Sequence, residues 1–336
     1  MKKLALFAAL LFLPLFASAQ SPEALLTPDG TLYSIETQAA TDTTDPTGGA
    51  SLPLVLTTRH DGEVSHQLVP ATTNGGQHEN PALAYDAESQ TLFVFWVHHH
   101  DLFSSELLFA SLDAQGNWSE TTAFGHPFDY RENLRIAVTK RVTDDEGNLS
   151  AGISVHLTWW EFESSTGKEN ARYAMIAIEG GKAVSTDFIN LDVFRVAQTD
   201  QVANDNVDVS ILKQPLIFPS AKQDSVLLVY GDMQTHTFHE VRVTPHKVET
   251  NGRLRVPGGR SEGGFPAPTL GMQANSTMGG IYDDNDHLAF YVGDGHAVRY
   301  AILKDGAWSD PRALALDDEL TSSAAVDAIR RLVSDH

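Results

Sequence analysis

The sequence predicts an all-β fold in which a four-stranded unit is repeated. Residues 106–124 contain the clearest hairpin of this unit, which is a strand, a tight polar turn, an aromatic-Ser pair and a second strand. Four further segments share the pattern, and these are residues 54–71, 171–189, 238–256 and 297–316. The positions equivalent to the aromatic-Ser pair follow one another at spacings of 54, 66, 64 and 60 residues. A period of this length with strand-type alternation is typical of sheets arranged radially.

These observations predict a five-bladed β-propeller over residues 21–316. A hydrophobe-Ser pair follows the turn in four copies, and these pairs are Val64-Ser65, Trp118-Ser119, Val184-Ser185 and Trp308-Ser309. The remaining copy departs from the pattern with Val248-Glu249. The alternative is a six-bladed ring, in which residues 21–74 contain an additional partial blade. A plain two-sheet sandwich does not predict so regular a return of the turn.

The first twenty residues, MKKLALFAALLFLPLFASAQ, have the pattern of a secretory signal peptide. Lys2 and Lys3 precede an apolar run, and an A-x-A cleavage site at residues 17–19 precedes Gln20. The apolar run is shorter than the roughly 20 residues that a membrane-spanning helix needs. We therefore expect residues 1–19 to be removed on export and the mature protein to be periplasmic or secreted.

The charge and the cysteine count exclude several classes of partner and stabilisation. The net charge of −21 becomes more negative once Lys2 and Lys3 are removed. Nucleic acids and anionic membranes bind through clusters of Lys and Arg, so we expect neither nucleic-acid binding nor membrane insertion. The sequence has no cysteine, so neither a lipid anchor on cysteine nor a disulfide is available. We expect a monomer that is stabilised by burial of its core.

The strands within each repeat follow one order. In the first repeat, residues 40–50 are rich in Thr, Asp, Pro and Gly and are predicted to form a loop. In the later repeats a small-residue strand comes first, and these strands are residues 81–85, 134–138, 215–218 and 278–282. An Asp-bearing turn and an almost wholly apolar strand follow, and the apolar strands are residues 92–97, 155–160, 226–230 and 288–292. A strand that is apolar on both faces must be covered on both faces, which neighbouring blades would do.

The C-terminal tail, residues 317–336, breaks the strand pattern. Val326, Ile329, Leu332 and Val333 are apolar and have helical spacing. We predict a short helix that packs on the outside or the base of the ring. A helix that binds a partner is the alternative.

Residues 111–118, Ser-Leu-Asp-Ala-Gln-Gly-Asn-Trp, resemble the Asp-box of sialidases and related propellers. That motif reads Ser/Thr-x-Asp-x-Gly-x-x-Trp, so the glycine is displaced by one position here. Residues 303–308 keep the order Asp, Gly and Trp in a shortened form. In physical terms the Asp caps the turn amides, the Gly supplies a positive φ and the Trp fills the gap between sheets. The resemblance implies a sialidase-like propeller fold, and the motif itself is structural.

The resemblance does not extend to sialidase chemistry. Sialidases hold the substrate carboxylate with three arginines, and Arg131 and Arg135 lie near the start of one inner strand. No arginine begins the equivalent strands near residues 81, 215 and 278, so sialidase activity is not expected. Five-bladed glycosidases that act on arabinan-like or fructan-like chains use three acidic residues on inner strands. Residues 81–85 and 215–218 contain no carboxylate.

Candidate binding residues follow from the loop geometry of a propeller. Loops between second and third strands share one face with the connections between blades, and the Asp-rich turns lie on the other face. The candidates at or beyond strand ends on the first face are His98, His99, His100, Arg131, Trp160, Glu161, Asp232, Asp294 and His296. His and carboxylate groups together suit a metal site or a general acid and base. The three histidines are consecutive and alternate faces, and no Asp-rich turn has the spacing of a calcium loop, so we predict neither a metal nor a cofactor.

The sequence thus supports two functions and leaves open whether the protein is an enzyme. The first is an exported, non-catalytic propeller that binds a glycan or a protein ligand, with a neutral or cationic saccharide or peptide in a polar pocket and Trp160 as a stacking surface. The alternative is a glycoside hydrolase of sialidase-like shape. Two carboxylates that face one pocket at roughly 5–10 Å would distinguish the enzyme from the binding protein.

Overall fold

The structure is a computed structural model, and it describes residues 24–37, 53–73, 76–101, 103–124, 129–142, 149–190, 213–220, 225–232, 237–243, 277–282, 287–293, 297–304 and 307–315. Every regular element within these ranges is a β-strand, and all strand pairs are antiparallel. The predicted all-β class is therefore confirmed for this part of the chain. The signal peptide, the loop at residues 40–50, the Asp-rich turns at residues 144–145 and 283–286 and the C-terminal tail lie outside the described residues.

The described strands form five sheets. Sheet 1 contains β1 (Ala24–Leu26), β2 (Leu32–Thr37), β3 (Leu54–His60) and β4 (Glu63–Leu68). Sheet 2 contains β5 (Gln77–Asp86), β6 (Thr91–His99), β7 (Ser105–Leu112) and β8 (Thr122–Phe124). Sheet 3 contains β9 (Tyr130–Val142), β10 (Leu149–Glu163), β11 (Lys168–Glu179) and β12 (Lys182–Asn190).

The last two sheets are shorter within the described residues. Sheet 4 contains β13 (Leu216–Pro219), β14 (Val226–Asp232) and β15 (Thr237–Val243). Sheet 5 contains β16 (Thr277–Tyr282), β17 (Leu288–Gly293), β18 (Ala297–Lys304), β19 (Ala307–Trp308) and β20 (Arg312–Ala315). Strands that follow one another in the chain are neighbours in every sheet, except that β20 pairs with β18. The predicted order of small-residue strand, apolar strand and hairpin is found in sheets 2, 3 and 5, whereas in sheet 4 the described residues include only the first three strands.

The first repeat is more regular than its sequence suggests. Strands β1 and β2 pair through the turn at residues 27–31 and complete a four-stranded sheet with the hairpin β3–β4. The Asp29 side chain accepts hydrogen bonds from the Thr27 hydroxyl at 2.5 Å and from the Thr31 amide at 3.1 Å. Gly30 has φ +86°, a left-handed conformation that glycine adopts without steric cost. A short Asp-Gly turn is therefore enough to connect these two strands.

The Asp113 turn after β7 has the geometry expected from its residues. One Asp113 carboxylate oxygen accepts hydrogen bonds from the amides of Gln115 and Asn117 at 2.9 and 2.8 Å. These hydrogen bonds, chiefly the one from Asn117, lower the pKa of Asp113. Gly116 has φ +82°. Trp118 follows the turn and packs against the core between sheets 1 and 2.

The serine after each tryptophan explains why the Trp-Ser pair recurs. The Ser119 hydroxyl accepts a hydrogen bond from the Ser111 amide at 2.9 Å and donates one to the Glu120 carbonyl at 2.9 Å. The Ser309 hydroxyl accepts one from the Ile302 amide at 3.0 Å and donates one to the Asp310 carbonyl at 3.1 Å. In both copies the serine amide also donates to the carbonyl of the same partner residue. Each serine thus forms hydrogen bonds between the segment that precedes the last strand of its sheet and the third strand, at a point where regular pairing is interrupted.

Consecutive sheets pack face to face, which explains the wholly apolar strands. One face of β6 joins the core shared with sheet 3 through Phe93, Phe95 and Val97. The other face joins the core shared with sheet 1 through Leu92, Val94 and Trp96. A third core lies between sheets 3 and 4 and includes Trp160. The expectation that neighbouring sheets cover both faces of the apolar second strand is therefore confirmed for β6 of sheet 2.

Sheets 4 and 5 approach closely at a glycine. A Cβ atom on Gly280 would lie 2.5 Å from a ring carbon of Phe218, far inside van der Waals contact. The Phe218 ring also meets Phe290 of β17 edge to face, with ring centroids 5.8 Å apart. Because only glycine leaves room for the Phe218 ring, Gly280 of β16 allows these two sheets to approach closely.

Candidate functional site

Most of the candidate residues gather at one edge of sheets 2 and 3. In sheet 2 the end of β6 meets the starts of β5 and β7, since His99 lies opposite both Gln77 and Ser105. In sheet 3 the end of β10 meets the starts of β9 and β11, since Phe162 lies opposite both Tyr130 and Glu169. The two edges are adjacent, because the His99 ring packs on the Tyr130 ring at 5.2 Å.

Arg131 and Glu161 are buried in an ion-pair network. The Arg131 Nε atom lies 2.9 Å from a Glu161 carboxylate oxygen, and Arg172 Nε donates to the other oxygen at 2.7 Å. The Trp159 indole N–H donates to the same Glu161 carboxylate at 3.1 Å. Burial lowers the pKa of Arg131, although Glu161 and Asp129 act in the opposite direction. This network connects strands β9, β10 and β11 inside the sheet.

The Arg131 guanidinium also fixes the connection from sheet 2 to sheet 3. It donates to the Ser105 carbonyl at 2.5 Å and to the Asp129 carbonyl at 3.2 Å. The Arg131 amide donates to the Ser105 hydroxyl at 2.7 Å. Arg131 and Glu161 were expected to line an open pocket, whereas the structure places both side chains inside the protein with protein partners. Arg131 and Glu161 therefore stabilise the contact between the adjacent edges of sheets 2 and 3.

His78 and His98 form a stacked pair on sheet 2. Their rings lie 4.8 Å apart, with the two Nδ1 atoms 3.3 Å from each other. The Nε2 atom of His78 lies 3.0 Å from the Thr72 carbonyl, which assigns the donor N–H to Nε2. Burial, followed by the neighbouring His98, lowers the pKa of His78 to about 4. Burial likewise lowers the pKa of His98.

The remaining histidines of this edge each contact a carboxylate. His99 lies 3.3 Å from Glu79, and this hydrogen bond lowers the pKa of Glu79. His100 lies 3.2 Å from Glu106. His100 and Glu106 lie on the same face of sheet 2 as the His78–His98 pair, whereas His99 and Glu79 lie on the other face. We call these six residues the histidine cluster.

The three remaining candidates, Asp232, Asp294 and His296, do not belong to sheets 2 and 3. Asp232 is the last residue of β14 and lies opposite Thr237. Asp294 and His296 lie outside the described residues. The structure therefore brings the candidates of sheets 2 and 3 together and leaves those of sheets 4 and 5 as sequence predictions.

A cavity of about 240 Å³ opens at this edge, and we call it the Trp160 pocket. Its walls come from three successive parts of the chain: the β6–β7 loop of sheet 2, the strand ends of sheet 3, and the segment before sheet 4. The lining residues are Phe103, Tyr130, Glu132, Trp160, Phe162, Glu169 and Lys213. Trp160 is buried in the core between sheets 3 and 4 and presents part of its side chain to the cavity.

The register of sheet 3 explains why these side chains share one face. Glu132 lies opposite Trp160, whereas Tyr130 and Glu169 both lie opposite Phe162. Residues directly opposite one another project to the same side of a sheet, as do residues two apart on one strand. The five side chains therefore form two adjacent rows on the face of sheet 3 that is turned toward sheet 4.

Asn133 positions the polar wall of the pocket. It has φ +58° at an irregularity in the β9–β10 pairing, next to Glu132. Its side-chain amide donates to the Lys213 carbonyl at 2.9 Å, which holds the segment before sheet 4 against sheet 3. Asn80 has φ +49° at a similar irregularity in sheet 2. The repeated Glu-Asn pair thus marks a β-bulge that redirects the first strand.

The pocket contains three charged groups in unequal environments. The Lys213 ammonium lies 3.1 Å from a Glu169 carboxylate oxygen. Burial raises the pKa of Glu132, while Lys213 lowers it and Glu169 raises it. Glu132 thus has an environment that favours its protonated form, whereas Glu169 has a cationic partner.

Sequence reasoning identified only Trp160 among the binding candidates that line this pocket. Glu132 was visible as part of the Arg-Glu-Asn sequence before the inner strand, and Phe162 lies two residues beyond Trp160 and so shares its face. Phe103 and Lys213 gave no comparable signal, because each comes from a loop of a different repeat.

In the ranges that the structure describes, no three or more His, Cys, Asp or Glu side chains are arranged to hold a metal ion. Within the same ranges, no helix has the length and apolar character of a membrane span.

No protein-family model matches the chain, and no curated protein matches it. Among solved structures, the chain is similar to an α-L-arabinofuranosidase from Fusarium graminearum in complex with an iminosugar inhibitor, at 10% identity and a TM-score of 0.38, over 87% of this chain and 74% of that one. It is also similar to the WD40 domain of SCAP from fission yeast, at 8% identity and a TM-score of 0.29, over 90% of this chain and 87% of that one. Similarities of this size assign no activity to the chain.

Proposed function

We propose that the protein is an exported five-bladed β-propeller that binds a saccharide in the Trp160 pocket. Five successive antiparallel sheets support the blade count, and packing of the first sheet on the last would close the ring. The signal-peptide pattern of residues 1–19 supports export. Removal of that segment would leave Gln20 at the N-terminus of the mature protein.

The observation that carries the binding proposal is the position of two exposed aromatic side chains. Phe103 is 76% exposed and Phe162 is 37% exposed, so both are large aromatic side chains in contact with solvent. Both line the Trp160 pocket. Exposed apolar side chains that lie together at one cavity are a common feature of ligand-binding sites, which supports the proposal.

The chemistry of the lining fits a sugar. Aromatic rings cover the apolar face of a ligand, and a small number of polar groups fix its orientation. Glu132, Glu169 and Lys213 provide acceptors and donors for hydroxyl groups. The cavity of about 240 Å³ is smaller than the roughly 300–1,000 Å³ of sites for drug-sized ligands. It therefore suits one terminal sugar ring better than the middle of a chain.

A glycan array followed by titration calorimetry tests the proposal. Phe103→Ala should weaken binding of a selected saccharide roughly tenfold, the equivalent of losing about 1.4 kcal/mol, because an aromatic contact is removed. Since Phe103 is exposed, the melting temperature should stay close to that of the wild type. Val184→Ala is the matched control, because Val184 is 52% exposed and lies outside the Trp160 pocket.

The proposal fails if the array shows no saccharide binding. It also fails if Phe103→Ala and Val184→Ala bind the selected saccharide equally well. Binding of peptides alone would replace the saccharide with the other ligand class that the sequence suggests.

A further inference from the structure

The Trp160 pocket contains more negative than positive charge. Among the described lining residues, Glu132 and Glu169 are acidic and Lys213 is the only cation. The Lys213 ammonium lies 3.1 Å from a Glu169 carboxylate oxygen, so these two charges neutralise each other. Within the part of the chain that the structure describes, no side chain forms an ion pair or a hydrogen bond with the Glu132 carboxylate. Glu132 is therefore the group in this pocket whose charge is available to a ligand.

Neighbouring groups respond to the same negative charge. Burial raises the pKa of Tyr130, and the charges of Glu132 and Glu79 raise it further. Burial also raises the pKa of Glu132, where Lys213 acts in the opposite direction and Glu169 adds to the increase. A cation bound beside Glu132 would offset this repulsion. The net charge of −21 also attracts cations to the protein from solution.

Two aromatic side chains lie beside Glu132. Trp160 is directly opposite Glu132 in the β9–β10 pairing, a position that brings the two Cβ atoms to roughly 4.5–5.5 Å. Tyr130 precedes Glu132 by two residues on β9 and so lies on the same face. Both aromatic residues line the pocket. Because the faces of indole and phenol rings carry partial negative charge, they attract a cation that pairs with the carboxylate.

We propose that the saccharide bound in the Trp160 pocket is an amino sugar with a free, protonated amine, whose ammonium group pairs with Glu132 beside Trp160 and Tyr130. This inference rests on the saccharide binding proposed above and names the chemical class of the ligand. An ammonium group offers three N–H donors and a positive charge to the carboxylate. An N-acetylated amine has no charge, and its acetyl group needs additional space in a cavity of about 240 Å³.

An acidic sugar does not match the same lining. Arg131 and Arg172 are both paired with Glu161, and neither of them lines the Trp160 pocket. A sugar carboxylate would have to compete with Glu169 for Lys213 and would lie close to the charge of Glu132. We therefore expect uronic acids to bind more weakly than neutral sugars.

Titration calorimetry of the full-length mature protein with matched methyl glycosides tests the inference. Each set contains an amino sugar, its N-acetylated form, the parent hexose and the uronic acid, in the gluco, galacto and manno configurations. At about pH 6 an aliphatic amine is protonated. At least one amino sugar should bind roughly tenfold more tightly than its parent hexose and its N-acetylated form, because only the amine adds a charged contact.

Three variants assign the preference to Glu132. In Glu132→Gln the amino sugar and the parent hexose should bind with similar affinity, since the anionic partner is lost. In Lys213→Gln the preference for the amine should increase, because Glu169 loses the cation that neutralises it. Glu179→Gln is the matched control and should keep the wild-type preference, because it changes the net charge equally but lies at the far end of β11, paired with Arg141.

The outcomes separate this inference from the binding proposal. If saccharides bind but the amine gives no advantage, or if an acidic sugar binds most tightly, the amino-sugar inference is wrong and the binding function stands. A preference for the amine that survives in Glu132→Gln, or that is lost equally in Glu179→Gln, overturns the role of Glu132. Absence of binding by any saccharide overturns both proposals.

Discussion

Glu161 shows how a single residue can be predicted by type and placed differently by the fold. The sequence puts it at a strand end among other polar residues, where a ligand-binding role is reasonable. In the structure its carboxylate meets Arg131, Arg172 and the Trp159 indole, all within the protein. Its charge therefore neutralises the buried Arg131 and the half-buried Arg172, and the residue has a stabilising role.

Replacing Glu161 with glutamine should reduce the free energy of unfolding by up to about 3–5 kcal/mol, because the buried Arg131 loses the nearer of its two carboxylates and keeps only Asp129, at 3.7 Å. Urea denaturation monitored by tryptophan fluorescence measures this change. The control is Glu163→Gln, since Glu163 is less buried and lies 3.6 Å from Arg172. Its replacement should leave the free energy of unfolding almost unchanged, because exposed ion pairs contribute little. Equal effects of the two substitutions would contradict the role assigned to Glu161.

The histidine cluster should make stability depend on pH. The folded protein holds the pKa of His78 at about 4, below its usual value of 6.5. Between these values the unfolded chain binds a proton that the folded protein does not, so stability falls as the pH decreases from 6.5 to 4 and levels off below that. The lowered pKa of Glu79 has an effect of the same sign at lower pH.

The free energy of unfolding measured at several pH values tests this dependence. His78→Gln should flatten the slope between pH 6.5 and 4, because the titrating ring is gone. His66→Gln serves as the control, since His66 lies on β4 of sheet 1 and bonds to Thr57. An unchanged slope in His78→Gln would assign the pH dependence to other groups.

At the scale of elements, the turn residues act on the strands beside them. Asp113 and Gly116 shape the turn after β7, and Ser119 replaces the hydrogen bonds that an interrupted strand lacks. Ser309 repeats this arrangement in sheet 5. Because these contacts are local, they leave a clear pattern in the sequence.

Ser119→Ala and Ser309→Ala should each lower the free energy of unfolding by about 1 kcal/mol, the usual contribution of a hydrogen bond. The two effects should add in the double variant, because the residues lie in different sheets. Ser65→Ala is the matched control from sheet 1, where Ser65 is an exposed residue within regular β3–β4 pairing. Thermal and chemical denaturation measure all four variants, and a cost for Ser65→Ala equal to the others would argue against the proposed role of the turn hydroxyl.

At the scale of the whole molecule, stability depends on how closely the sheets approach. Three cores connect sheets 1 to 4 in succession, and the Phe218 ring connects sheet 4 to sheet 5. The contact at Gly280 leaves no space for a side chain. Packing between the sheets is therefore sensitive to single atoms even where each sheet is regular.

Gly280→Ala should destabilise the protein by about 1–3 kcal/mol, because the added methyl group would overlap the Phe218 ring. Phe218→Leu removes the ring and should itself be destabilising. In the double variant the two costs should be less than additive, since the smaller side chain relieves the overlap. Strictly additive costs in a denaturation cycle would show that the two positions do not interact.

The sequence alone determined the strands, the turns and the repeat of this protein. Apolar alternation, Asp-Gly turns and Trp-Ser pairs depend on neighbouring residues, so their physical causes lie within one hairpin. Only tertiary structure decided the site. The Trp160 pocket combines Phe103, residues 130–169 and Lys213, which come from three successive repeats. Which of their side chains share a face depends on strand register, two β-bulges and the packing of one sheet on the next, and these relations join residues far apart in the chain.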